Sequence, residues 1–69
     1  MGKSRELKDR LFGAAVLKVS FRLRGEESGL AFRAIYPGVL RDLELEDAHV
    51  EQFISENRAS VEAAARGKA

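Results

Sequence analysis

From Val16 to Arg24 apolar and polar residues take turns: Leu17, Val19, Phe21 and Leu23 are interleaved with Lys18, Ser20, Arg22 and Arg24. A period of two puts the two sets on opposite faces of a β-strand, so residues 16–24 are predicted to form a half-buried strand with one wet, basic face. A five-residue polar connection, Gly25 to Gly29, leads to a second run at 30–36. There Leu30, Phe32, Ala34 and Tyr36 take one face, and Ala31, Arg33 and Ile35 the other. A connection of that length predicts an antiparallel hairpin, ended by Pro37 and Gly38.

Residues 37–45 fit two templates. Val39, Leu40 and Leu43 lie on one face of a helix whose first position is Pro37, whereas Val39, Leu43 and Leu45 lie on one face of a strand; a short helix at 37–43 is preferred. From Asp47, a good N-cap, to residue 66, the pattern is that of an amphipathic helix. Val50, Phe53, Ile54, Val61, Ala64 and Ala65 share its apolar face. Asn57 falls on that stripe, seven residues after Val50 and four before Val61. Because the stripe resumes in phase beyond it, one continuous helix is predicted, with a polar group in its buried face. Asn57 and the adjacent Arg58 are therefore candidate structural or interface polar groups. Residues 4–12 predict a short helix with Ser4 as cap and Gly13 as stop.

These elements define an α+β fold, an antiparallel hairpin packed by a long C-terminal helix. Residues 1–12 would be an N-terminal arm or short helix and residues 13–69 a single domain. The predicted core is Leu17, Val19, Phe21, Leu23, Phe32, Tyr36, Val50, Phe53, Ile54 and Val61.

Composition narrows the picture. A chain of 69 residues holds one domain with a marginal core. With no cysteine and a single histidine, His49, neither a disulfide nor a zinc site is expected to reinforce it, and no cofactor is expected. Open sheet edges and the small core favour self-association as a homodimer, or an unknown protein partner. No apolar run approaches a membrane span, and the start of the chain does not resemble a secretion signal, so a cytoplasmic location is expected.

The net charge of +1 hides a polarity: residues 1–24 carry +5 and residues 25–62 carry −6. Either the two parts neutralise each other in the fold, or the basic part faces an anionic partner. Lys18, Arg22 and Arg24, with Arg33 if the strand register allows, form the cationic row that phosphate contacts require, so nucleic-acid binding is the alternative function. "GKS" at residues 2–4 lacks the preceding glycine and strand of a phosphate-binding loop. His49 reads as a surface histidine, and Glu44, Glu46, Asp47 and Glu51 as acid around a helix start. With no nucleophile–base pair and no metal set, the leading expectation is a small non-enzymatic interaction or regulatory module.

Residues 53–68, "FISENRASVEAAARGK", with "VLRDL" at 39–43, are similar to the C-terminal part of the short bacterial family called domain of unknown function fourteen-eighty-eight. Phe53, Arg58, Val61 and Ala65 carry the likeness, which extends over about residues 16–68. The resemblance implies a small α+β domain with a helix at 39–43 and a regulator-like role. It implies no catalytic residue.

Overall fold

The computed structural model describes residues 3–68, with side chains described from Leu7 to Gly67. It contains four helices, α1 (Lys3–Leu23), α2 (Leu30–Leu43), α3 (Asp47–Glu56) and α4 (Arg58–Lys68), and no strand among the described residues. The long α1 is central: it packs against α2, α3 and α4, and α3 packs against α4.

The α+β fold, and with it the strand–turn–strand order implied by the family resemblance, is thus replaced by an all-helical one. The cause is visible on α1. Its alternating residues do not face one core and one solvent side; they meet three different neighbours. Val19 joins Ala14, Ala15 and Val16 against Val50, Ile54, Val61 and Ala65. Phe21 instead packs on Phe32 and Tyr36. Lys18 and Ser20, the supposed wet face, are only 6% and 7% exposed. The Ser20 hydroxyl donates to the Val16 carbonyl at 2.8 Å, a bond a serine makes within its own helix. A helix surrounded on several sides is apolar over most of its girth, so its 3.6-residue period is hard to see. Leu23, expected in the core, is exposed, while the unforeseen Ala14 and Ala15 are fully buried.

In α2, the inward residues Phe32, Tyr36, Leu40 and Leu43 are spaced by four, four and three. Residues 37–43 are helical as preferred, but the helix begins at Leu30. Pro37 therefore lies inside it, without the N–H that would bond the Arg33 carbonyl, a defect costing about 3 kcal/mol in a helix interior. Both residues are exposed, so water reaches that carbonyl. Aromatic packing on the opposite side offsets the loss: Phe32 stacks on Tyr36 at 4.6 Å and meets Phe21 edge-on at 5.3 Å.

α1 and α2 end in the same way. The Gly25 N–H bonds the Arg22 carbonyl and the Glu26 N–H the Phe21 carbonyl, at 3.0 and 2.8 Å. At the second end Glu44 bonds Arg41 and Leu45 bonds Leu40, at 3.2 and 2.8 Å. Each closure puts one residue in the left-handed region, Gly25 at φ 73° and Glu44 at φ 58°. Arg10 donates to the Leu43 carbonyl at 2.6 Å, capping α2 from α1. The predicted stop at Gly13 is not used, since α1 runs through it. The proposed Ser4 cap lies outside the described side chains.

The single C-terminal helix is also corrected: it is two helices, and Asn57 is their joint. At φ −129° and ψ 36° Asn57 leaves the helical region. Its N–H and its side-chain Nδ2 both donate to the Phe53 carbonyl, at 2.9 and 3.1 Å, closing α3. Its own carbonyl accepts from the Val61 N–H at 2.9 Å, opening α4. The apolar stripe keeps its phase because the interruption is one residue long, so Val50, Ile54, Val61 and Ala65 still share one core. Asp47 is the first residue of α3 and Glu46 its N-cap.

Candidate functional site

The predicted cationic row does not stand on one open face. Lys18 and Arg22, one turn apart on α1, meet Asp47 and Glu51, one turn apart on α3. The Lys18 Nζ donates to Asp47 Oδ1 at 2.6 Å and also pairs with Glu51. Arg22 donates to Glu51 at 3.0 Å and grips Glu27 with two bonds of 2.9 and 2.8 Å. Asp47 Oδ1 also accepts the Tyr36 hydroxyl at 2.6 Å. The result is a chain of alternating charge, Asp47–Lys18–Glu51–Arg22–Glu27, that ties α1 to α3 and the following loop, with Tyr36 adding α2. Arg24 pairs with Glu26 at 3.3 Å and lies over the Phe21 ring. Arg33 is exposed on α2.

Protonation follows this geometry. Burial pulls the Lys18 pKa down, but the hydrogen bonds and charges of Asp47 and Glu51 outweigh it, leaving it above the usual lysine value. Hydrogen bonds from Lys18 and Tyr36 hold Asp47 below the ordinary carboxylate range, and Arg22 does the same for Glu27. Burial, then the bond to Asp47, pushes Tyr36 up. Each group is fixed in its usual charge state, and only 8% of the Lys18 side chain is exposed. Such an arrangement fastens helices; it presents no free acid, base or nucleophile.

A second feature lies on another side of α1. Phe12, Gly13, Val16, Leu17 and Ser20 floor an open groove of about 440 Å³, walled by Val39 and Leu43 of α2 and Ala64 of α4. No charged side chain lines it. The floor is low because Gly13 has no side chain and a Cβ there would meet nothing within 4 Å. A smaller depression between α1 and α3 has an apolar floor that includes Leu11 and Phe53, with Glu44, Glu56 and the exposed His49 at its margin. Among the other expected site residues, Asn57 is the helix joint described above, and Arg58 makes an exposed pair with Glu62 at 3.4 Å.

Asp47, Glu51, Glu27 and Tyr36 were not foreseen as partners of the basic residues. Their signal is the matching i, i+4 spacing of Lys18/Arg22 and Asp47/Glu51, which registers only once both segments are helical. For the groove, the clue is a glycine inside an apolar helical run. Among the described residues no cluster of three or more His, Cys, Asp or Glu is placed to hold a metal, and no helix is long and apolar enough to cross a membrane. Compared with protein families, with curated proteins and with solved structures, the chain matches none.

Proposed function

We propose that the chain is a small non-enzymatic helical module that binds protein through the groove between α2 and α4. The carrying observation is the groove's lining, which is apolar except for Ser20 and free of charge. Protein recognition commonly lays an apolar helix face into a trough of this kind. The nucleic-acid reading loses its main support, because Lys18, Arg22 and Arg24 are each paired with carboxylates of the same chain. A phosphate would have to displace those carboxylates before it gained a contact.

Photo-crosslinking tests this reading. A photoreactive azide analogue of phenylalanine replaces Phe12, which lines the groove, and in a control Ser28, an exposed loop position. In cells that make the protein, position 12 is expected to give protein adducts and position 28 none. Nucleic-acid adducts, or no adduct from position 12, would contradict the reading.

A further inference from the structure

We infer that the seam between α1 and α3 docks a partner of its own, an amphipathic helix of another protein with basic residues beside its apolar stripe. This surface is separate from the groove and shares no lining residue with it.

Two hollows of about 370 and 490 Å³ run together along the seam, since Leu7, Leu11, Phe53 and Glu56 line both. Leu7 is 41% exposed, and Leu11, Leu45 and Phe53 are half-buried, so the floor is apolar and open to solvent. A trough of this form takes the apolar face of a helix.

The charges on its margin choose the sign of the partner. Glu44 stands just before α3 and Glu56 ends it, so two exposed carboxylates flank a helix about 15 Å long. Each also sits at the C-terminal end of a helix, Glu44 as the cap of α2 and Glu56 as the last residue of α3. There the negative end of the helix dipole adds to the charge of a carboxylate. Among the described residues neither carboxylate is in an ion pair. Arg10 donates to the Leu43 carbonyl at the end of α2, and Glu56 accepts the uncharged Gln52 amide at 3.1 Å. Facing them are the exposed Lys8 and His49. One lysine against two carboxylates leaves the margin acidic. An anionic lipid or nucleic-acid surface would meet like charge there. A helix with two lysines or arginines seven positions apart, about 10 Å, supplies both the apolar stripe and the missing cations.

Methyl nuclear magnetic resonance of the isotope-labelled full chain tests the inference with two synthetic probes. One is a helical alanine–leucine peptide with two lysines seven positions apart beside its leucine stripe; its twin has glutamates in their place. The lysine peptide is expected to shift the methyl signals of Leu7, Leu11 and Leu45. It should bind at least about tenfold more tightly than its twin, because both rim contacts change from attraction to repulsion. Glu44→Gln combined with Glu56→Gln, both at exposed positions, should remove that preference while leaving the helical circular dichroism unchanged. The comparison of the two peptides on the wild type decides even where the variant fails to fold. No shift of these signals at about 1 mM lysine peptide, equal binding of the twins, or a preference that survives in the folded double variant would overturn the inference. So would shifts confined to Leu17, Val39 and Leu43 of the groove. Seam signals that move with the concentration of the chain alone would make the seam a contact between copies and would overturn it too.

Discussion

The two flanks of α1 differ in what they leave unfinished. On one, Lys18 and Arg22 are matched turn for turn by Asp47 and Glu51, and Tyr36 and Glu27 take up the remaining bonds. On the other, the exposed Gly13 and half-buried Leu17 lie beneath an open trough between α2 and α4. The charged flank attracts attention in the sequence, yet it is complete within the chain. The neutral flank is inconspicuous, yet it has room for another molecule. A charged side chain points to function only when its charge is not already answered, and an apolar one only when it is not already covered.

Breaking the closed flank should have the largest effect on stability. Lys18→Met leaves the carboxylates of Asp47 and Glu51 side by side without their shared cation. Since both are about half exposed, a loss of about 2 kcal/mol is expected from urea unfolding, less than for a fully buried pair. Association through the groove should survive as long as the chain is folded. Filling in the open flank should work in the opposite direction. Gly13→Ala removes a glycine from a helix interior without a clash, and should add about 1 kcal/mol in the same assay while leaving the groove nearly as deep.

pH and salt separate the flanks without mutation. Asp47 and Glu27 have depressed pKa values, so their contribution is present above the unfolded carboxylate range near pH 4 and is lost as pH falls through the folded values. Lys18 and Tyr36 have raised values, so their contribution holds below about pH 10 and is lost as pH rises through the folded values. Thermal melts should therefore show a plateau between about pH 5 and 9 with a decline on each side. Across that plateau protein capture by the groove should be flat in both pH and salt, because the groove is uncharged. The smallest effect is at the end of α2, where Glu44→Gly relieves a left-handed residue and should add about 0.5 kcal/mol to unfolding stability.

Much of the core was legible and its architecture was not. Val19, Phe21, Phe32, Tyr36, Val50, Ile54 and Val61 are buried as expected, because burial follows from side-chain chemistry whichever element carries it. The helix at 37–43 was legible too. The hairpin pattern misleads on the assumption that Lys18 and Ser20 face solvent; both are polar residues that find partners inside the fold. Without that assumption, Ala14, Ala15 and Val19 would have carried the helical spacing. The joint at Asn57 was missed because a one-residue break does not shift the phase of the stripe. Charge polarity was the better guide: the basic N-terminal and acidic middle parts do meet, through Lys18 and Arg22. The groove was illegible, since it depends on where α2 and α4 lie relative to α1.

The most direct test is methyl nuclear magnetic resonance of the isotope-labelled full chain with and without a soluble paramagnetic probe. The account predicts that the probe broadens the methyl signals of Leu17, Val39 and Leu43, which line the open groove, and spares those of the fully buried Val50 and Val61. If the groove methyl groups are as protected as Val50 and Val61, the assignment of the open flank of α1 is contradicted.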